Sequence, residues 1–219
     1  MSQVICPAPG ELPPLCEREA LRYAACRQPD EQTLSLLRDC WQEAEPVLRP
    51  QVCWLQLPVT TTEDLCDLGI FQLPSRKLAA HLAGCQQVVL LGATVGVELD
   101  RLIARNSRLS PARALLLQAI GTERVEALCD WFCAHYETEH NCSLTARFSP
   151  GYGDLPLESQ QKIFPVLDCS RKIGLTLNGS LLMSPSKSVT ALAGLTDQPP
   201  IIKRSKCADC SLITCSFRR

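Results

Sequence analysis

Residues 147–156 read RFSPGYGDLP and residues 173–195 read IGLTLNGSLLMSPSKSVTALAGL, and these two stretches carry most of the information on the fold. In the first, a predicted strand ends in a proline-glycine turn between Arg147 and Tyr152. Such a turn exposes backbone donors and acceptors, an arginine binds a carboxylate through two hydrogen bonds, and a tyrosine packs on or hydrogen-bonds a ligand. The residue types alone are equally consistent with a ligand site and with a surface turn whose side chains only pack.

Apolar residues at regular spacing, separated by turn residues, predict a mixture of helices and strands. The predicted helices are 16–45 with a break at Pro29-Asp30, 75–84, from the turn at 92–96 to about 105, 110–140 with an interruption at Gly121-Thr122, and from 157 until Pro165 bends or ends it. The predicted strands are 51–57, 88–91, 143–148, 173–177 and 188–192. Because no regular βαβ repeat is present, we expect an α+β fold with a mixed or antiparallel sheet and helices.

Residues 92–96, GATVG, follow an apolar run and precede a helical pattern, which is the arrangement of a phosphate-binding loop. The stretch lacks both the Lys-Ser/Thr ending of a P-loop and a three-glycine dinucleotide fingerprint. It therefore predicts a tight turn between strand and helix rather than a nucleotide site.

The composition excludes several classes of function. A net charge of -1 over 219 residues supplies no strong field for nucleic acid or anionic lipid. The chain begins without a basic and apolar leader and has no run of roughly 18 to 20 apolar residues, so we expect a cytoplasmic protein with no nucleic-acid or membrane partner. No HExxH, GxSxG or defensible Ser/His/Asp arrangement is present, which disfavours hydrolase chemistry.

Fourteen cysteines are unusual for a cytoplasmic protein, and most of them are predicted to be small buried hydrophobes. Three lie in a tail after residue 195 as CxxCxxxxC: Cys207, Cys210 and Cys215. They provide three ligands for zinc or an iron-sulfur cluster, and a redox-active thiol pair or a frayed terminus is also consistent with them. We expect residues 196–219 to form a linker and this Cys-rich tail.

The order of motifs resembles the activation (reactivation) domain of vitamin B12-dependent methionine synthase. That family reads arginine, small residues, proline-glycine-tyrosine, a helix, isoleucine-glycine, a leucine-threonine strand, methionine-x-proline and serine-valine. The matching residues are Arg147, Pro150-Gly151-Tyr152, Ile173-Gly174, Leu175-Thr176 or Thr176-Leu177, Met183, Pro185 and Ser188-Val189. The resemblance covers residues 121–195 well and the first 120 loosely, so a domain of residues 1–195 is predicted.

The resemblance implies an S-adenosylmethionine site. Arg147 would bind the carboxylate region of the ligand, and Ser149, Gly151 and Tyr152 would contact it through the turn. Glu126, in a helix similar to one that supplies a glutamate in the family, would lie near the positive charges of the ligand, where a carboxylate offsets the cost of desolvating them.

The resemblance also implies partners. No Asp-x-His-x-x-Gly motif occurs, so cobalamin would be carried by a partner, a cobalamin-binding methionine synthase subunit or another corrinoid protein. Reductive methylation further requires an electron donor of the flavodoxin or ferredoxin type. The chain would thus be a component of a methyltransferase. The alternatives are an iron-sulfur or thiol redox activator of a corrinoid protein, and a non-catalytic assembly factor.

Overall fold

A computed structural model describes residues 1–196 of the chain. The helices are α1 (Glu17–Tyr23), α2 (Glu31–Ala44), α3 (Arg76–His81), α4 (Val97–Leu109), α5 (Pro111–His140), α6 (Gln160–Leu167) and α7 (Cys169–Ile173), with short 3₁₀ helices at Glu45–Val47 and Leu157–Ser159. The strands are β1 (Gln3–Ile5), β2 (Gln51–Pro58), β3 (Thr60–Thr61), β4 (Leu65–Asp67), β5 (Gln72–Pro74), β6 (Gln87–Thr94), β7 (Ser143–Leu144), β8 (Thr176–Leu177), β9 (Met183–Ser184) and β10 (Ser188–Thr196).

The main sheet is antiparallel, in the order β1-β2-β6-β10-β7. β6 lies at its centre, with Leu90 opposite Leu55 of β2 and Gly92 opposite Thr190 of β10. Two small sheets, β3-β4-β5 and β8-β9, complete the strands of the described chain. The predicted α+β class with an antiparallel sheet is confirmed.

Both faces of the main sheet are covered. Along β6, Val89 and Leu91 point to a core shared with α1, α2, α4 and α5, while Val88 and Leu90 point to a second core with α3, α6 and α7. Alternate residues of a strand face opposite sides of a sheet, so a strand that is apolar at every position needs helices on both sides. The result is a central sheet between two layers.

The predicted turn at residues 92–96 is wrong in extent, because β6 continues to Thr94. Gly92 lies inside the strand, where a Cβ would stand only 3.3 Å from the Cys53 Sγ and 3.2 Å from the Cys169 Sγ. The glycine therefore serves close packing, and the turn reduces to Val95-Gly96. Gly96, with a φ of 95°, precedes α4 directly.

The predicted interruption of the second long helix is also wrong, because α5 runs unbroken for 30 residues. Gly121 is buried within it, and a Cβ at this position would meet Leu99 Cδ2 at 2.6 Å and Lys187 Cγ at 2.7 Å. The glycine thus lets α4 and the segment before β10 approach the middle of α5 instead of ending the helix.

Other boundaries differ in smaller ways. The predicted strand at 143–148 is limited to β7 and one bridge between Phe148 and Leu192. Helix α7 covers the start of the predicted strand at 173–177 and ends at Gly174, whose φ of 65° is the left-handed conformation typical of a helix end. Pro165 lies inside α6, which ends two residues later.

Two further expectations concern the whole chain. Within residues 1–196, no helix combines the length and apolarity that crossing a bilayer requires. The cysteine tail, with Cys207, Cys210 and Cys215, lies outside the described residues, so its role stays a prediction from the sequence. The domain boundary near residue 195 likewise stays a prediction.

Candidate functional site

The turn at residues 149–155 is held in one shape by its own backbone. The Gly151 N–H donates to the Leu155 carbonyl at 2.9 Å, and the Tyr152 N–H donates to the Ser149 carbonyl at 3.1 Å. Gly151 has a φ of 88°, which side chains rarely allow. Just before the turn, Phe148 exchanges two backbone hydrogen bonds of 2.8 Å with Leu192 of β10. The turn is therefore fixed against the outer side of β10.

Asp154 fixes the other end of the turn to α3. Its carboxylate accepts hydrogen bonds from the Ser75 hydroxyl, from the Arg76 N–H at 2.9 Å and from the Lys77 N–H at 3.3 Å. Ser75 itself accepts from the Leu78 N–H at 3.0 Å, so two side chains together cap α3. The hydrogen bond from Ser75, followed by those from the two N–H groups, lowers the pKa of Asp154.

Arg147 binds two carboxylates of α5. Its guanidinium donates to Glu126 Oε2 at 2.8 Å and to Asp130 Oδ1 at 2.6 Å, and its side chain is only 12% exposed. Burial opposes the positive charge, but at the high pH where this charge would be lost the ionised Cys129, Asp130 and Cys133 beside it favour it more, so the pKa of Arg147 is raised. The predicted residues Arg147 and Glu126 are thus brought together, in direct contact with each other.

A cleft opens beside this ion pair, between α5, the turn, α6 and β10. It has a volume of about 130 Å³. Its lining residues are Glu126, Arg147, Ser149, Pro150, Tyr152, Gln160, Met183, Ser188, Val189 and Thr190. Four of the five predicted site residues are therefore in one place, and the fifth, Gly151, shapes the turn without lining the cleft. Since ligand pockets usually measure roughly 300–1,000 Å³, a nucleoside-sized ligand would lie partly outside this cleft.

Two lining residues that the sequence analysis missed carry unsatisfied oxygen atoms. Gln160, at the start of α6, is 4% exposed, and Thr190, in β10, is 2% exposed. Within residues 1–196, Gln160 Oε1 and Thr190 Oγ1 are the buried side-chain oxygen and nitrogen atoms with no hydrogen-bond partner. Buried polar atoms are nearly always paired, so these two mark a place where a ligand can supply the missing partners.

A wider depression of about 530 Å³ lies along one face of α4, beside Arg105, Arg108 and Leu109. All of its lining residues belong to that helix, so it is an open surface on which no polar groups from different elements converge. The cleft at Arg147 is therefore the better candidate for a binding site, despite its smaller volume.

Metal ligands are not clustered in the described part of the chain: no group of three or more His, Cys, Asp or Glu side chains there is arranged to hold an ion. The 11 cysteines of residues 1–196 are all free thiols. Burial raises the pKa of Cys129 to about 12, which keeps this thiol next to the site protonated at neutral pH.

Comparison with known proteins places the fold. No protein-family model matches the chain, and no curated protein sequence matches it. Among solved structures, the crystal structure of the MetH reactivation domain bound to AdoHcy aligns with a TM-score of 0.66 at 15% sequence identity, over 91% of this chain and 79% of that one. The mixed helices and antiparallel sheet of the chain thus have the fold of the MetH reactivation domain.

Proposed function

We propose that this chain binds S-adenosylmethionine in the cleft at Arg147 and serves as the activation subunit of a cobalamin-dependent methionine synthase. The observation that carries the proposal is the convergence of Glu126, Arg147, Ser149 and Tyr152 on one cleft, in a fold whose solved relative holds AdoHcy. Buried oxygen atoms without partners in the same cleft fit a ligand rich in hydrogen-bonding groups.

The charges of the cleft suit a zwitterionic sulfonium ligand. S-adenosylmethionine carries a carboxylate, an ammonium group and a sulfonium group, and the cleft is lined by the Arg147 guanidinium and the Glu126 carboxylate, while Asp130 also pairs with that guanidinium. A ligand carboxylate can take the place of Glu126 or Asp130 on Arg147, and the carboxylate it releases can then face a positive charge of the ligand. Arg147, the buried member of the group, keeps a carboxylate partner throughout this exchange, which avoids the cost of leaving a buried ion unpaired.

The protein residues would position the ligand and take no chemical part in the reaction. When bound, S-adenosylmethionine supplies the methyl group that, together with one electron from a flavodoxin- or ferredoxin-type donor, converts cob(II)alamin on a partner protein into methylcobalamin, with S-adenosylhomocysteine as the other product. Arg147 would hold the amino-acid end of the ligand, the turn at Ser149–Tyr152 would fix its orientation, and Glu126 would balance its positive charge. This role agrees with the lack of a defensible acid or base catalyst in the sequence.

Calorimetric titration of the reduced protein with S-adenosylmethionine tests the proposal. We expect saturable binding by the wild type and a loss of roughly 10- to 100-fold in affinity for Arg147→Ala, because a hydrogen-bonded charge is removed. Arg147→Lys keeps the charge without the planar fork and should recover only part of the affinity.

Arg101→Ala is the matched control, since this arginine pairs with Glu98 on the exposed side of α4 and should not affect binding. The absence of saturable binding by the wild type would overturn the proposal.

If binding holds, the partner is tested with a cob(II)alamin-loaded methionine synthase lacking its own reactivation domain, which should regain turnover with this chain and a one-electron donor.

A further inference from the structure

Two buried side chains from different elements line one part of the cleft, which we call its inner end. Gln160 begins α6, and Thr190 lies in β10 opposite Gly92. Thr190 shares a strand face with Leu192, which belongs to the core beneath α6 and α7. Packing of α6 against the sheet therefore buries both side chains while leaving them on the wall of the cleft.

The hydrogen-bonding properties of Gln160 Oε1 and Thr190 Oγ1 limit which ligand groups can bind them. An amide oxygen only accepts hydrogen bonds, and a threonine hydroxyl both accepts and donates. A single group that satisfies Gln160 Oε1 must carry hydrogen, and one with two or more N–H bonds can satisfy both oxygen atoms at once. Leaving them unpaired in the interior destabilises the ligand-free protein, because each has lost its hydrogen bonds to water.

We propose that Gln160 and Thr190 bind an amino group of the ligand at the inner end of the cleft. This assignment rests on the proposed function. S-adenosylmethionine has two such groups, the α-ammonium and the 6-amino group of adenine, and both meet the same demand. The small volume of the cleft admits one end of the ligand, and Gln160 Oε1 favours an end that carries hydrogen over an oxygen atom without one, whereas the Thr190 hydroxyl accepts either.

Isosteric variants test the assignment by two readouts. Thr190→Val and Gln160→Met should each weaken S-adenosylmethionine binding by roughly 3- to 10-fold, the value of one lost hydrogen bond. The same Thr190→Val change should raise the melting temperature of the ligand-free protein, because it removes a buried hydroxyl that has no partner there. A hydroxyl with a purely structural role would give the opposite shift.

Two controls keep size and position constant. Thr190→Ser retains the hydroxyl and should keep the affinity within about twofold. Gln161→Met makes the Gln160 change at the neighbouring, exposed residue and should leave binding unchanged.

Two analogues identify the amino group. S-inosylhomocysteine lacks the 6-amino group, and 5′-methylthioadenosine lacks the amino-acid end. If adenine is bound at the inner end, Thr190→Val weakens binding of 5′-methylthioadenosine and leaves the already weak S-inosylhomocysteine unaffected. If the ammonium group is bound there, this pattern reverses. Either pattern supports the assignment.

The assignment and the proposed function fail in different ways. Wild-type binding that Arg147→Ala abolishes but Thr190→Val and Gln160→Met leave intact would overturn the assignment alone. A wild type that binds no S-adenosylmethionine would overturn the proposed function and the assignment with it.

Discussion

At the scale of single residues, Asp154 shows how the turn at residues 149–155 is held in place by a contact outside the candidate site. It lies at the far end of the turn from Arg147, and its carboxylate accepts hydrogen bonds from Ser75 and from two backbone N–H groups at the start of α3. These bonds exist only in the folded chain and favour the charged carboxylate. Asp154 is therefore a positioning residue for the turn.

Asp154→Ala should lower the melting temperature at pH 7, with a smaller effect in acid. The pKa of Asp154 is lower in the folded chain than its ordinary value near 3.8. The stabilisation is therefore fully present above about pH 4 and is lost as the pH falls through the lower folded pKa. Thermal unfolding of both proteins between pH 7 and pH 3 measures this.

Asp39→Ala, which removes an exposed carboxylate of α2, is the control for general charge effects. An Asp154→Ala deficit as large at pH 3 as at pH 7 would show that the carboxylate charge does not hold the turn.

Some residues of the candidate site belong to a recognisable sequence motif, and others do not. Arg147, Gly151 and Tyr152 belong to a turn motif that could be recognised in the sequence, and they lie where that motif predicts. Gln160 and Thr190 could not be found this way, because a glutamine in a helix and a threonine in a strand are common at the surface. Their burial arises from the packing of α6 on β10, a contact that no local pattern records.

At the scale of secondary-structure elements, α5 is both a scaffold of the fold and the source of the two carboxylates that bind Arg147. It contributes Glu126 and Asp130 to the Arg147 pair, and it packs against α1, α2 and α4. Its middle is occupied by Gly121, over which Leu99 and Lys187 lie. The glycine sets the distance between α5 and the segment that leads into β10.

Gly121→Ala should destabilise the protein by about 1–3 kcal/mol, because the added methyl group overlaps packed neighbours. Helix propensity alone predicts the opposite sign, a gain of about 1 kcal/mol. The free energy of unfolding in urea, compared between the wild type and Gly121→Ala, distinguishes these two expectations. Gln118→Ala, at an exposed position of the same helix, should be close to neutral. A Gly121→Ala variant more stable than the wild type would mean that Leu99 and Lys187 leave room for a methyl group at this position.

The long elements could largely be predicted from the sequence, and the two wrongly predicted breaks have one cause. Helices at 31–44 and 76–81 and the strand at 51–58 follow from capping residues and apolar spacing. The sequence pattern predicts a break in regular structure at Gly92 and at Gly121, although both lie inside an element. In each case a residue distant in sequence packs so closely that only glycine fits. A local sequence pattern cannot distinguish such a glycine from one that forms a turn.

At the scale of the whole molecule, a buried ion pair fastens the start of the chain to α5. Arg124 donates to Glu123 and to the carbonyl groups of Pro13 at 2.7 Å and Pro14 at 3.2 Å. Glu123 also accepts from the Cys16 N–H at 3.1 Å. These bonds span more than 100 residues of sequence and lie three residues from Glu126, so they stabilise the helix that carries the site.

Arg124→Met should cost roughly 3–5 kcal/mol, because it leaves the Glu123 carboxylate buried without its cation. The double variant Glu123→Leu/Arg124→Met should recover much of that loss, since no buried charge remains. Denaturant unfolding of the wild type and both variants measures these differences in the free energy of unfolding. If the double variant is as unstable as the single one, the lost stability comes from the hydrogen bonds that join the first residues to α5 and not from the unpaired Glu123 charge.

The decisive measurement is a crystal structure of the full chain grown with saturating S-adenosylhomocysteine. We expect ligand density in the cleft beside Ser149 and Thr190, with the Arg147 guanidinium turned from at least one of its α5 carboxylates toward the carboxylate of the ligand. Density at another place on the molecule, or an empty cleft with Arg147 still bound to Glu126 and Asp130, would contradict the proposed binding site.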